Sequence, residues 1–139
     1  MSKPNKQSKN AAFTLIELLV VSTIIIVLLS IGIISYRNAS LKSRNNKRKA
    51  DLDTMRQALM LYKGDYGNFP TGSFSLVRTQ LIADDYLPDD VQLEDPRHPT
   101  HSYDYVDIGS CGSGACDFEL RADIEQIGGG TTTYTVSSP

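Results

Sequence analysis

The sequence contains no proline between Pro4 and Pro70, and Gly32 is the only glycine in residues 13–62. Proline and glycine are the residues that most often interrupt a helix, so nothing in this stretch forces a break. We therefore expect one continuous helix over about residues 13–62. Three residues that follow it are expected to end it: Gly64, Gly67 and Pro70.

Charge is missing from part of the same stretch. Between Glu17 and Arg37 lie nineteen uncharged residues, mostly Leu, Ile and Val, enough to cross a bilayer core of roughly 30 Å as a helix. Glu17 begins this run, and an acidic side chain inside hydrocarbon costs roughly 2.5 to 3.5 kcal/mol on insertion scales. Glu17 therefore predicts a partner or a function. The alternative is an ordinary membrane anchor whose glutamate reaches the headgroups.

Short catalytic motifs are also missing. The chain has no Gly-x-Ser-x-Gly, no His-Glu-x-x-His and no phosphate-binding glycine-rich loop. After the apolar run, the 139-residue chain has about ninety residues left, which is enough for one small domain but leaves little room for a deep cleft. We predict no catalytic residues and no enzymatic activity.

The residues before Phe13 carry three lysines and no acidic residue, which favours the cytoplasmic side for this end. This leader, the junction Ala12-Phe13, the run Phe-Thr-Leu-Ile-Glu at 13–17 and the apolar helix together resemble the class III signal of type IV pilins and type II secretion pseudopilins. In that family a membrane peptidase cuts before the phenylalanine and methylates the new amino terminus.

The resemblance implies a role for each residue of the signal. Cleavage would fall between Ala12 and Phe13, and Phe13 would become N-methylated. Glu17 would then pair with the freed amine of Phe13 on an adjacent subunit. The family usually has glycine before the cut, and Ala12 is the smallest substitute for it.

Four segments follow from these patterns. We expect a leader peptide at 1–12, a transmembrane or filament-core helix at 13–36, an amphipathic continuation at 37–63 and a globular head at 64–139. An apolar stripe at spacings of three and four residues continues the helix and predicts core packing. Its members are Leu52, Met55, Leu59, Tyr62 and Tyr66.

In the head, the spacing of apolar residues changes to a period of two. Apolar and charged residues alternate over 118–125, which predicts a strand with one buried face. Residues 103–106 and 134–136 are its expected neighbours, Gly128 to Gly130 supplies a turn, and 76–86 predicts a short helix or loop. The result is an α+β pilin fold, in which the long helix packs against a three-stranded antiparallel sheet.

Cys111 and Cys116 bracket a glycine-rich loop, and we predict a disulfide between them, as suits an extracytoplasmic protein. A zinc site with His98 and His101 is the alternative. The dense carboxylates of 84–95 leave calcium open as a cofactor, because the major pseudopilins that the head resembles often hold calcium. However, no calcium-loop motif is present, so a solvated loop and no cofactor are predicted.

The two parts of the chain carry net charges of opposite sign. Residues 1–50 hold nine basic residues against Glu17 alone, a net of +8, whereas residues 51–139 hold five against fifteen acids, a net of −10. A basic collar follows the apolar run, and it could face carboxylates of neighbouring subunits, lipid headgroups or solvent. The collar consists of Arg37, Lys42, Arg44, Lys47, Arg48 and Lys49. Its charge count alone would place the head in the cytoplasm, but the type of leader and the cysteine pair favour the outside.

We interpret the chain as a structural subunit of a type IV pilus-like or type II secretion pseudopilus filament. By the resemblance, its partners are itself or other pilins, prepilin peptidase, an inner-membrane assembly platform and, before assembly, membrane lipid. Its N-terminus would be cytoplasmic and its head extracytoplasmic, in a surface or periplasmic filament. The alternatives are a competence-type DNA-uptake pilin and an anchored binding domain that never polymerises. The acidic head makes nucleic acid an unfavourable ligand.

Overall fold

The computed structural model of the protein describes residues 13–139, and the predicted leader at 1–12 lies outside them. The elements in chain order are α1 (Leu15–Tyr66), α2 (Phe74–Ala83), β1 (Asp104–Ile108), β2 (Asp117–Glu125) and β3 (Thr131–Ser137). The chain divides into two compact units, a first that ends at Arg37 and a second that spans Asn38–Pro139. The predicted α+β, pilin-like fold is confirmed.

Helix α1 has 52 residues and ends later than the sequence predicts. Gly64 lies inside the helix rather than at its end. The helix stops where Gly67 adopts a φ of 76°, a left-handed conformation that glycine reaches without strain. The N–H of Gly67 donates to the carbonyl of Lys63 at 2.8 Å, so the last turn closes as a glycine C-cap.

In the second unit, the apolar stripe of α1 forms one wall of the core. Leu52, Met55 and Leu59 are fully buried and Tyr62 is 7% exposed. Tyr66 is an exception to the prediction, because it is 55% exposed and stacks on Tyr62 with ring centroids 4.3 Å apart. The stripe therefore packs against the head for four of its five predicted positions.

The sheet has the order β1-β2-β3, with both neighbouring pairs antiparallel. Its register aligns Tyr105, Leu120 and Val136 across the three strands, and all three side chains are buried. Each strand pairs with the next one in the chain, so short connections are sufficient. The inner face of the sheet thereby completes the core that α1 begins.

Helix α2 covers the remaining side of the core with Val77 and Leu81, both fully buried. It begins two residues before the predicted segment at 76–86 and ends at Ala83. The amides of Tyr86 and Leu87 then both donate to the carbonyl of Leu81, at 2.8 and 3.1 Å. This turn directs the chain away from α2 and toward the loop that leads to β1.

Candidate functional site

The first turn of α1 holds the described part of the predicted signal. The Oγ1 of Thr14 accepts a hydrogen bond from the backbone N–H of Glu17 at 3.3 Å, the contact by which a threonine N-cap satisfies a free donor. Glu17 is the acidic residue of this turn, where the positive end of the helix dipole favours a carboxylate. Phe13 is 78% exposed. Ala12 lies outside the described residues.

The segment after Glu17 is apolar and uncovered. Its best 18-residue window has a mean hydropathy of 2.8 with no part buried, so by length and composition the helix could cross a membrane. The hydroxyls of Ser22, Thr23 and Ser30 donate to carbonyls three or four residues earlier, at 2.7 to 2.8 Å. These polar side chains are therefore satisfied within the helix, as a lipid environment requires.

The carboxylate of Glu17 differs from those hydroxyls. Among residues 13–139, no backbone or side-chain donor reaches it within hydrogen-bonding or ion-pairing distance. It is an acidic group on an otherwise apolar helix surface. Chemically, this site can accept a cation or a hydrogen-bond donor.

Part of the basic collar has partners within the chain. Arg48 is fully buried and donates to both Asp95 oxygens, at 2.7 and 3.0 Å, and to Glu125 at 2.8 Å. Arg44 adds two bonds to Glu125, at 2.9 and 2.7 Å. Asn45 accepts from Arg48 and from the Glu125 amide and donates to the Glu125 carbonyl. We call these five residues the charge cluster.

The cluster changes the acidity of its carboxyl groups. Hydrogen bonds from Arg44 lower the pKa of Glu125 to about 2, and those from Arg48 act in the same direction against the effect of burial. Burial raises the pKa of Asp95, but the Arg48 hydrogen bonds and the amide of Arg97 outweigh it, so this pKa lies below its usual range. Both groups are therefore charged at neutral pH, and the cluster ties α1 to the end of β2.

The cysteines and histidines of the head lie apart. A disulfide joins Cys111 and Cys116, while the His98 ring faces Glu94 at 3.5 Å and the His101 ring faces Asp123 at 3.4 Å. The loop between the cysteines pairs with the exit of α1 through two hydrogen bonds between Phe69 and Ala115, at 3.0 and 2.9 Å.

Close packing accompanies this pairing. A Cβ at Gly114 would collide with the Phe69 carbonyl, so the loop requires glycine there. Within residues 13–139 no group of three or more His, Cys, Asp or Glu side chains is arranged to hold a metal ion. The dense carboxylates of 84–95 include one member of the charge cluster, Asp95, whereas Asp85, Asp89 and Asp90 are exposed.

A comparison with known families agrees with the N-terminal pattern. The prokaryotic N-terminal methylation motif matches residues 7–33, which include the capped helix start, Glu17 and most of the apolar run. Comparison with curated proteins and with solved structures finds no match to the chain.

The fold and the matched motif together indicate the class of protein. The chain combines a type IV pilin or pseudopilin signal with a long N-terminal helix and a small sheet, as a membrane-anchored protein of pilin type does. The methylation motif supports a type IV pilin-like or pseudopilin precursor. The motif implies processing by prepilin peptidase and assembly with other pilins. Proteins of this type are structural and typically non-enzymatic.

Proposed function

We propose that the protein is a structural subunit of a type IV pilus-like or type II secretion pseudopilus filament. Prepilin peptidase cuts between Ala12 and Phe13 and methylates Phe13, and the apolar part of α1 anchors the subunit until it is extracted into the filament. The N-terminus faces the cytoplasm and the head lies outside. The disulfide in the head supports this orientation, because such bonds persist in oxidising compartments.

The unpaired carboxylate of Glu17 carries the proposal. In lipid it is unfavourable by roughly 2.5 to 3.5 kcal/mol, and no donor among residues 13–139 relieves it. The amine of a processed Phe13 on a neighbouring subunit supplies a positive charge at the depth where Glu17 lies. Docking of a subunit in the correct register would therefore remove an energetic penalty that a subunit out of register would keep.

Mass spectrometry of the mature N-terminus tests the processing step. A chain that begins at N-methylated Phe13 is the expected result, since the methylation motif covers this junction. A polypeptide from native cells that still begins at Met1 would contradict both the cleavage and the amine that Glu17 is proposed to meet.

Substitution of Glu17 tests the assembly step. Glu17→Ala should leave the membrane level of the protein unchanged but reduce sheared filaments about a hundredfold, the factor that corresponds to the penalty above. The matched control is Ser22→Ala, which removes a polar group from the same apolar run whose hydroxyl is already bonded to Leu19. Normal filaments from Glu17→Ala, seen by electron microscopy, would exclude the pairing.

The alternatives make different predictions. A competence-type pilin would support DNA uptake, which the net −10 of residues 51–139 disfavours. A non-polymerising anchored domain would give processed protein in the membrane but no filaments from the native cells. Electron microscopy of sheared native filaments separates that outcome from the proposed one.

A further inference from the structure

Four basic residues of α1 recur at every seventh position. They are Lys42, Lys49, Arg56 and Lys63. Seven residues make nearly two helical turns, so these side chains form one row that drifts by only about 20° per step, with about 10 Å between successive members. We call these four residues the basic row. All of them lie in the second compact unit.

The basic row has no carboxylate partner in the part of the chain that the structure describes. None of its four members takes part in an ion pair within residues 13–139. Lys49 instead lies 5.2 Å from the ring centre of Tyr134, and Lys63 lies 4.4 Å from that of Phe69. An aromatic ring attracts a cation without neutralising it. The row therefore keeps its positive charge.

An acidic counterpart lies in the turn and loop after α2. Asp84, Asp85, Asp89 and Asp90 fall within residues 84–90, which we call the acidic loop, and none of them is ion-paired among residues 13–139. Three of the four are exposed. The same chain thus presents an unpaired cationic row and an unpaired anionic loop.

The two surfaces lie on opposite sides of α1. Lys47 donates to the carbonyl of Glu94 at 3.0 Å, on the segment that follows the acidic loop, whereas Lys49 faces Tyr134 in β3. Two residues correspond to about 200° around a helix axis, so these contacts point in nearly opposite directions. The sheet order agrees, since β3 forms one edge and β1, which follows the acidic loop segment, forms the other.

We propose that the basic row of one copy docks against the acidic loop of a second copy of this chain, side by side in the filament. The inference rests on the proposed function and adds the surface by which neighbouring heads meet. Complementary patches on opposite sides of one molecule make a heterologous contact, which repeats in one direction instead of closing as a dimer. A nucleic acid or an anionic membrane would engage the row and leave the acidic loop without a partner.

Charge reversal tests this contact in cells that make the full chain. One variant carries Lys42→Glu, Lys49→Glu and Arg56→Glu, which makes the net charge of the row negative, and the other carries Asp85→Lys, Asp89→Lys and Asp90→Lys, which makes the net charge of the loop positive. All of these native residues are exposed except Arg56, which is half-buried. Each variant alone should lose sheared filaments by about tenfold or more, because like charges then face each other in every contact. Arg121→Glu, which reverses an exposed charge on β2, is the control and should keep the wild-type yield.

Production of both variants in the same cell gives the decisive result. One copy then has a negative row and a negative loop, and the other has a positive row and a positive loop, so alternating copies are complementary again. Recovery of filaments that contain both variants supports the proposal and shows that each variant folds. Failure to recover filaments, or a wild-type filament yield from the row variant alone, overturns the proposal. A loss of binding to DNA or anionic vesicles by that variant would not change this conclusion.

Cross-linking adds a measurement that needs no charge reversal. Oxidation of assembled chains that carry Lys42→Cys and Asp89→Cys should give a ladder of covalent multimers, whereas Lys42→Cys alone should not. Native filaments without such a ladder would contradict the docking and leave the proposed function intact. An absence of wild-type filaments would instead contradict the proposed function itself.

Discussion

The acidic residues of the two compact units differ in whether the same chain supplies them with a positive partner. In the second unit, Asp95 and Glu125 are buried against guanidinium groups of the same chain. In the first unit, Glu17 lies on an apolar surface with no donor from residues 13–139. The buried carboxylates of the second unit are neutralised within the chain, whereas Glu17 is the carboxylate to which we propose that a second molecule supplies a positive charge. We therefore propose that the second unit accounts for folding and the first for assembly.

The largest expected effect is the loss of the buried guanidinium. Arg48→Met leaves Asp95 buried without its guanidinium partner and removes one of the two arginines that bind Glu125, which should lower the free energy of unfolding of the head by about 3 to 5 kcal/mol. Urea unfolding of the full chain in detergent, followed by near-ultraviolet circular dichroism, measures it, because six of the seven tyrosines lie beyond residue 37.

Lys47→Met is the matched control for this variant. Lys47 pairs with Asp51 at 2.6 Å, but its side chain is 44% exposed, so its removal should lower the free energy of unfolding by no more than about 1 kcal/mol. Equal losses for the two variants would show that the charge cluster is no stronger than a surface ion pair.

The next largest expected effect is a loss of stability of the second unit in acid. The folded-state pKa of Glu125 is about 2, below the ordinary value of about 4.3, so its contribution to stability is present above the ordinary value and is lost as the pH falls toward 2. The urea midpoint of the wild type should therefore drop between about pH 4.3 and pH 2. Glu125→Gln should show a smaller drop over this window, and an equal drop would assign the acid sensitivity to other groups.

The disulfide should have a smaller effect. Cys111 and Cys116 close a loop with a sequence separation of 5, and a loop this short restrains the unfolded chain by only about 2 kcal/mol. The double variant Cys111→Ser, Cys116→Ser should lower the unfolding free energy of the head by about that amount. Peptide mapping without reductant checks the pairing in the native protein, and recovery of two free thiols would contradict it.

The smallest expected effect is that of Glu17→Gln, which tests whether the two units are independent. Glu17→Gln should change the unfolding free energy of the head by less than about 0.5 kcal/mol, because Glu17 belongs to the first unit, whereas the head belongs to the second. The same urea experiment measures it. A large change would mean that folding and assembly are not separable in this chain.

The sequence predicts the long helix, its apolar run and the three strands because each depends on local periodicity. Leu120 and Ala122 alternate with charged residues, so the strand and its buried face follow from a period of two. The helix end is less predictable: Gly64 continues the helix and Gly67 stops it, and only the backbone conformation distinguishes them. The exposure of Tyr66 likewise depends on where the head ends.

The charge cluster was not predicted, because its partners lie far apart in the chain. We interpreted Arg44, Lys47 and Arg48 as part of a surface collar, yet the structure pairs all three within the subunit. One local signal was available: Arg48 lies four residues before Leu52, at a position that continues the buried stripe. A basic residue on an apolar stripe indicates a buried carboxylate, but the sequence does not say which one.

The distance along the chain between the members of this cluster also limits when it can form. Arg48 and Asp95 are separated by 47 residues, and translation adds about 5 to 20 residues per second. A growing chain would thus carry its buried arginine without a counterion for roughly 2 to 9 s. During that interval the nascent helix is an exposed cationic segment, open to chaperones and to anionic surfaces until Asp95 emerges.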